Sequence, residues 1–497
     1  MYHTGCFRVK NNNNTDRRDF LKTCALGAAA AVSGSEYLGA GNAEVRSSDM
    51  PVRIGEPGRK IVGCYCTLEE ILDTPQYIDA LQEKLGVNVL FCSPPIRLPG
   101  WLLKMNPIGP DRIMNARGHT EDDSGVYRAV EETHGRGMEF YLYYTGHHYG
   151  EESRPIVSET FDGVKFLDLP QVKYSLEFMK TACFAKPVVR EYEPAVFNYG
   201  ARTYGVDSMY VSHYRYASPS FWTNLFGCAC SSCREEAYRM GYDFEVMKNS
   251  MMKLRFNLER LDRKTLEHAA RYRLTFTDFL VLLGGDNGVI DWFVFRSKIV
   301  GNQLMRIHDA VHTGTNDRCR FITDTYNATQ ALFVGHNWAD FFDGASDALH
   351  PLSWCAFQHI SVIASWANQL CEWVPGLEES TALKLVTAFF GYDELGLPDK
   401  KIADLRIGES ASKHDTYSNE KGSFYGYFNP DLTIRLMTHE WTRMAAINRG
   451  RLPAHPVIKG YEWPEPVCRE LMDRAIDLGL NGYVFQRTDV LIDKNKL

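Results

Sequence analysis

The stretch Gly205–Tyr216, GVDSMYVSHYRY, carries the first structural decision in this chain. Apolar residues fill its centre, and Ser212, His213, Arg215 and Tyr216 crowd its exit. A short apolar run bounded by a glycine and a polar cluster reads as a buried strand whose C-terminal end faces something wet. Similar runs lie on both sides of it. Upstream are Lys60–Cys66 (KIVGCYC), Val87–Ser93 (VNVLFCS) and Met138–His148 (MEFYLYYTGHH). Downstream are Arg318–Thr325 (RCRFITDT), Asp347–Trp354 (DALHPLSW), His455–Trp463 (HPVIKGYEW) and Asn481–Asp489 (NGYVFQRTD).

Between the runs the period changes to that of helices, as in TPQYIDALQEKLG, DDSGVYRAVEETHGRG and PEPVCRELMDRAIDLGL. Eight strands, each followed by helix, predict an α/β fold, a (β/α)8 TIM barrel, with its functional site at the C-terminal ends of the strands. Long insertions are expected after β3, β4 and β6. The barrel spans residues 58–497, with a linker over 44–57.

The first 43 residues read as a targeting segment. Arg17-Arg18 precede Phe20-Leu21-Lys22 and an Ala-rich run too short to span a bilayer, the order of a twin-arginine export signal. The expectation is a periplasmic or extracellular protein with no membrane anchor. The net charge is -7; the leader holds five basic and three acidic residues, so the remainder carries -9 (-7 minus 2). With no basic stripe, a nucleic-acid partner is excluded. Oligomeric state is left open by the sequence.

Four segments together resemble glycoside-hydrolase-like TIM barrels of exported bacterial type. These are Val206-Asp207 with His213-x-Arg215-Tyr216, the helix start FGCACSSCREEAYRMGYD, the stretch GHNWADFFDGASDALHPLSW, and the closing VIKGYEW…RAIDLGLNGYVFQRTD. The resemblance implies a carbohydrate substrate and hydrolysis of a glycosidic bond. It also exposes a departure: Ser212 stands where that group carries an aspartate.

Glycoside cleavage uses two carboxyl groups, one to protonate the leaving oxygen and one to attack the sugar or activate water. At strand exits the candidates are Glu462 after the seventh run and Asp324 after the fifth. In the xylanase- and β-galactosidase-type barrels the nucleophile ends β7, which points to Glu462. Asp207 and Asp347 stand at strand starts and read as structural. Substrate contacts are expected from His213, Arg215, Tyr216, His147, His148, Trp463 and Trp354, since guanidinium forks suit hydroxyls and indoles suit sugar faces. The alternatives are a catalytically altered barrel that binds glycans, which Ser212 favours, and a metal-dependent sugar isomerase built on His147 and His148.

Of thirteen cysteines, eleven follow the leader. Cys228-x-Cys230-x-x-Cys233 offers three thiols, one short of a closed zinc site. No fourth ligand is evident nearby, though Cys183, from the insertion before the fourth strand, could approach it; in an oxidising compartment a disulfide within the cluster or to Cys183 is expected rather than zinc. No cofactor is otherwise called for. The leader reading is checked by localisation: replacing Arg17-Arg18 with Lys-Lys retains the protein in the cytoplasm, and undiminished export of that variant excludes the twin-arginine route.

Overall fold

The computed structural model describes residues 60–108, 119–145, 153–169, 182–219, 222–351, 356–405, 429–461 and 463–494. The leader and linker therefore lie outside the described residues. Eight parallel strands follow in chain order: β1 (Ile61–Tyr65), β2 (Val89–Cys92), β3 (Glu139–Thr145), β4 (Ser208–Ser212), β5 (Arg320–Thr325), β6 (Leu349–Pro351), β7 (Val457–Ile458) and β8 (Gly482–Phe485). Each pairs with its neighbours from β6 through β1 to β8 and β7. The circle is closed between β6 and the residues just ahead of β7. There the Leu349 N–H donates to Pro453 O and the His455 N–H to Leu349 O, both at 2.8 Å. The chain is a (β/α)8 TIM barrel.

Strand alternation sends one face inward to fill the barrel. Phe91 is the hub of that interior. Its ring lies 5.1 Å from Tyr65, 4.9 Å from Tyr141, 5.3 Å from Tyr210 and 5.4 Å from His350. The space it needs is made by Gly63, where a Cβ would stand 2.5 Å from the Phe91 ring. Below this layer Arg320 pairs with Glu139 and with the Tyr141 hydroxyl. The barrel is a packed core at this level and opens only at its top.

On the outside, the 29-residue helix Asn287–Thr315 buries Trp292, Phe295, Ile299, Leu304, Ile307 and Val311, a stripe at helical spacing. It packs on the helix Pro187–Tyr204, and together they cover β4 and β5. The expected insertions follow β3, β4 and β6, the last holding the helices Ala356–Trp373, Glu379–Phe390 and Pro430–Asn448.

One connection departs from the expectation of a helix after every strand. Between β5 and β6 the chain makes only the short turns Ala331–Val334, Trp338–Asp340 and Phe341–Ala345. Gly335 at φ 82° and Gly344 at φ 110° interrupt any longer helix there. The seventh strand is also far shorter than the run His455–Trp463. Pro453 and Pro456 remove donors on one side, and a turn at Gly460 ends pairing on the other.

The lower rim is fastened by two like clasps. Asp207, just ahead of β4, accepts the Phe140 N–H at 2.8 Å and lies 2.8 Å from His134 Nε2. Asp347, just ahead of β6, accepts the Phe321 N–H at 2.7 Å and lies 2.8 Å from His312 Nε2. Both aspartates are structural, as their positions at strand starts indicate.

The hydrogen bond to Asp347 raises His312 to about 9. His308 and His312 hold Asp347 well below the usual carboxylate range, against the opposing effect of burial. The histidine's stabilisation is complete below its ordinary value of 6.5 and is lost as pH rises through 9. The aspartate's is lost on acidification below its ordinary 3.8. His312→Gln should therefore lower the melting temperature most between about pH 4 and 6.5 and least above pH 9. A deficit independent of pH would remove the ion pair from this account.

Candidate active site at the barrel mouth

The C-terminal ends of the strands open into a cavity of about 540 Å³. Its wall includes Tyr65, Thr67, Glu69, Glu70, Phe91, Ser93, Tyr143, Ser212, His213, Gln486 and Arg487. This volume lies within the range of about 300–1,000 Å³ common for small-molecule sites.

Beneath the cavity, β4 and β5 are joined by side chains. Asp324 is fully buried at the exit of β5. Its Oδ2 accepts the Ser212 hydroxyl at 2.8 Å and the His213 backbone N–H at 2.6 Å. The Ser212 oxygen in turn lies 2.5 Å from His213 Nδ1. Because the single hydroxyl proton of Ser212 goes to Asp324, its oxygen accepts from His213 Nδ1–H. That assigns the tautomer: Nδ1 carries the proton, and Nε2 is the basic nitrogen. The serine found where an acid was expected thus relays the Asp324 carboxylate to the histidine on the cavity wall.

Burial raises Asp324 from its usual 3.8 to about 6, while the His213 N–H, the Arg215 charge and the Ser212 hydroxyl oppose the rise. Desolvation also keeps the Tyr65 and Tyr210 phenols protonated, with the Asp324 charge adding to the effect. The Tyr65 hydroxyl donates to that of Tyr210 at 3.0 Å. Tyr143 packs edge-on to Tyr65 at 5.1 Å. The floor of the mouth is a cluster of three phenols beside one carboxyl.

His213 has a φ of 60°, an uncommon value for a residue other than glycine. That turn ends β4 and sends the following residues out of the mouth. Arg215 and Tyr216, expected to meet substrate, are fully buried and do not line the cavity. Arg215 lies over the Tyr326 ring at 4.7 Å, and Tyr216 lies against Arg296 at 4.4 Å. The Tyr214 hydroxyl donates to Glu193, which is anchored by Gln303. His336, held neutral by burial, bridges Tyr326 N and Tyr214 O and so locks the loop after β5 to the loop after β4. Trp463 is likewise buried, 4% exposed, and no platform for a sugar. The stacked pair Trp222 and Trp366 is also core.

Glu462, His147, His148 and Trp354 lie outside the described residues. Two cavity acids were not singled out by the sequence reading. Glu69 and Glu70 open the helix Leu68–Leu72 directly after β1. The signal for them was the capping box Thr67-x-x-Glu70 at a strand exit. Glu70 is committed, since it accepts the Thr67 N–H at 2.9 Å and pairs with Lys494. Glu69 stands exposed on the rim.

Two further groups gather potential metal ligands: His308, His312 and Asp347 at the lower rim, and Cys183, Cys228, Cys230 and Cys233. The first is the clasp described above, whose contacts are satisfied as an ion pair. The second differs from the expectation of a disulfide. Cys183 does reach the other three, and all four are free thiols.

No family model matches the sequence, and none of the curated proteins does. Solved structures match it at low similarity. The catalytic domain of β-amylase from Paenibacillus polymyxa matches at TM-score 0.43 and 8% identity, over 88% of this chain and 95% of that one. The β-galactosidase of the haloarchaeon Halorubrum lacusprofundi matches at TM-score 0.35 and 12% identity, over 88% and 74%. For the β-galactosidase from Marinomonas ef1 the values are 0.33 and 10%, over 59% of this chain and 40% of that one. None of the described residues forms a helix long and apolar enough to cross a membrane.

The raised Asp324 has a measurable consequence. A carboxyl moved from 3.8 to about 6 on folding favours the folded chain when protonated, so its cost appears as pH rises through this interval and reaches about 3 kcal/mol above it. Asp324→Asn keeps an acceptor for Ser212 and His213 but cannot ionise. Its stability relative to the parent should rise by about that amount between pH 4 and pH 7.5 in urea unfolding. Parallel profiles for the two proteins would show that Asp324 is not shifted.

Proposed function

We propose that this chain is a carbohydrate-active enzyme, a glycoside hydrolase that works on oligo- or polysaccharide at the barrel mouth. The observation that carries the reading is the Asp324–Ser212–His213 relay at the C-terminal ends of β4 and β5, beside a cavity whose wall includes Tyr65, Tyr143 and His213. A polar floor with phenol edges suits a sugar, which presents apolar C–H faces between hydroxyl groups.

In this reading Asp324 is a positioning residue, since Ser212 and His213 stand between it and the cavity. His213 presents the basic nitrogen, able to move a proton at a substrate hydroxyl or leaving oxygen near neutral pH. Arg487 and Gln486 supply hydroxyl contacts from the end of β8. The carboxyl that attacks the sugar or activates water is assigned to Glu462, four residues beyond β7, and Glu69, after β1, is an acid on the cavity wall. The Arg17-Arg18 leader would bring this chemistry outside the cytoplasm, where polysaccharide is met.

A second reading, a barrel that binds glycans without cutting them, is favoured by the shielding of Asp324 from the cavity. A glycan array and a reducing-sugar screen of the mature protein separate the two. Under the hydrolase reading Glu462→Gln retains glycan binding and loses activity by about 10²–10⁴-fold or more, since positioned proton transfer alone contributes that much. His213→Asn loses activity and flattens the pH profile near neutrality. Binding with no turnover in the parent protein establishes the glycan-binding reading. Turnover undiminished by Glu462→Gln removes Glu462 from the mechanism.

A further inference from the structure

The four thiols of Cys183, Cys228, Cys230 and Cys233 come from two separate excursions. Cys183 lies in the insertion after β3, shortly before the helix Pro187–Tyr204. The other three lie after β4, with Cys230 capping the N-terminus of the helix Ser231–Arg239 and Cys233 in its first turn. All four are buried, and their sulfur atoms lie within 4.8 Å of one another. Cys183 Sγ is 3.5 Å from both Cys230 Sγ and Cys233 Sγ.

Those separations discriminate between fates. A disulfide needs sulfurs about 2.05 Å apart and one partner for each. Cys183 stands equally far from two. A zinc ion with four Zn–S bonds of about 2.3 Å places its sulfurs at tetrahedral corners about 3.8 Å apart. The observed spacing is close to that edge length.

The surroundings are those of an anion. The Glu159 backbone N–H donates to Cys228 Sγ at 3.3 Å. Arg296 is fully buried on the long helix Asn287–Thr315. It donates to Phe333 O and Asn224 O and lies over Tyr216, and none of these contacts is a carboxylate. Among the described residues no carboxylate meets it, and a buried guanidinium without a counter-charge is costly. The Arg296 charge acts on Tyr216, Cys228 and Cys233. A tetrathiolate zinc centre carries a net charge of two minus and supplies the missing anion.

We propose that Cys183, Cys228, Cys230 and Cys233 hold one zinc ion in a closed tetrahedral site that staples the excursion after β3 to the one after β4. On binding, four Zn–S bonds form and four thiol protons pass to solvent, with no change of oxidation state. With four protein ligands the ion has no open position, so its role is structural. The inference is independent of the function proposed above.

The full chain, expressed with zinc in the medium and purified without chelator, should contain one zinc per chain by elemental analysis. Titration with a mercurial should release that zinc in step with loss of thiols. Protein grown in cobalt should show the intense visible bands of a tetrahedral ion with a sulfur-to-cobalt charge-transfer band. Cys183→Ser and Cys233→Ser should reduce metal content to background, while His312→Gln keeps it at one. If the cysteine variants fail to fold, the cobalt spectrum and zinc release of the parent protein still decide. Folded, metal-free parent protein whose intact mass shows these cysteines paired as disulfides would overturn the proposal. So would iron in place of zinc, or a zinc lost with His312→Gln and kept in the cysteine variants.

Discussion

The hydrogen bond from the His213 N–H to the buried Asp324 carboxylate is the point on which the upper half of the barrel turns. It holds a non-glycine residue in a left-handed conformation, whose cost is typically 1–3 kcal/mol and must be met by the surroundings. Ser212 and the loop lock at His336 provide that support. Once the chain is bent there, His213 faces the cavity and everything after it is driven into the core. The fates of Arg215, Tyr216 and Tyr214 follow from one backbone angle.

That angle explains what could be read in advance. The strands were legible because each is a short apolar run between helical periods, and burial on both faces leaves a continuous pattern. The structural standing of Asp207 and Asp347 was legible from their place at strand starts. Alternation along β4 predicts faces only while the residues stay extended. It would put Arg215 on the same side as His213, and the turn at His213 breaks that rule at the strand exit. Trp463 departs from its expected role for a related reason, since a position at a strand exit says little about exposure when the following turn is itself packed.

The cysteines show a different limit. Spacing alone revealed three thiols on one helix start, because three ligands within six residues are a local pattern. The fourth lies 45 residues before the first of them in the chain, and only the folding of two excursions against each other brings it near. The two aspartate clasps are non-local in the same way. Asp207 joins His134 on the helix preceding β3, and Asp347 joins His312 on the helix preceding β5. Each couples a strand start to the helix before the neighbouring strand, so the barrel uses one device twice.

The seam between β6 and β7 has a consequence for how the barrel assembles. From β1 to β5 each strand finds its partner next in the chain, across a connection that a helix has already shortened. The closure there joins Leu349 to Ala454, 105 residues apart (454 minus 349), and returns two backbone hydrogen bonds. Loop entropy grows with the length enclosed, while the reward here is small. The rest of the sheet can therefore stand as an open, curved wall before the ring is shut. In the finished molecule, the same place is where the wall parts at least expense.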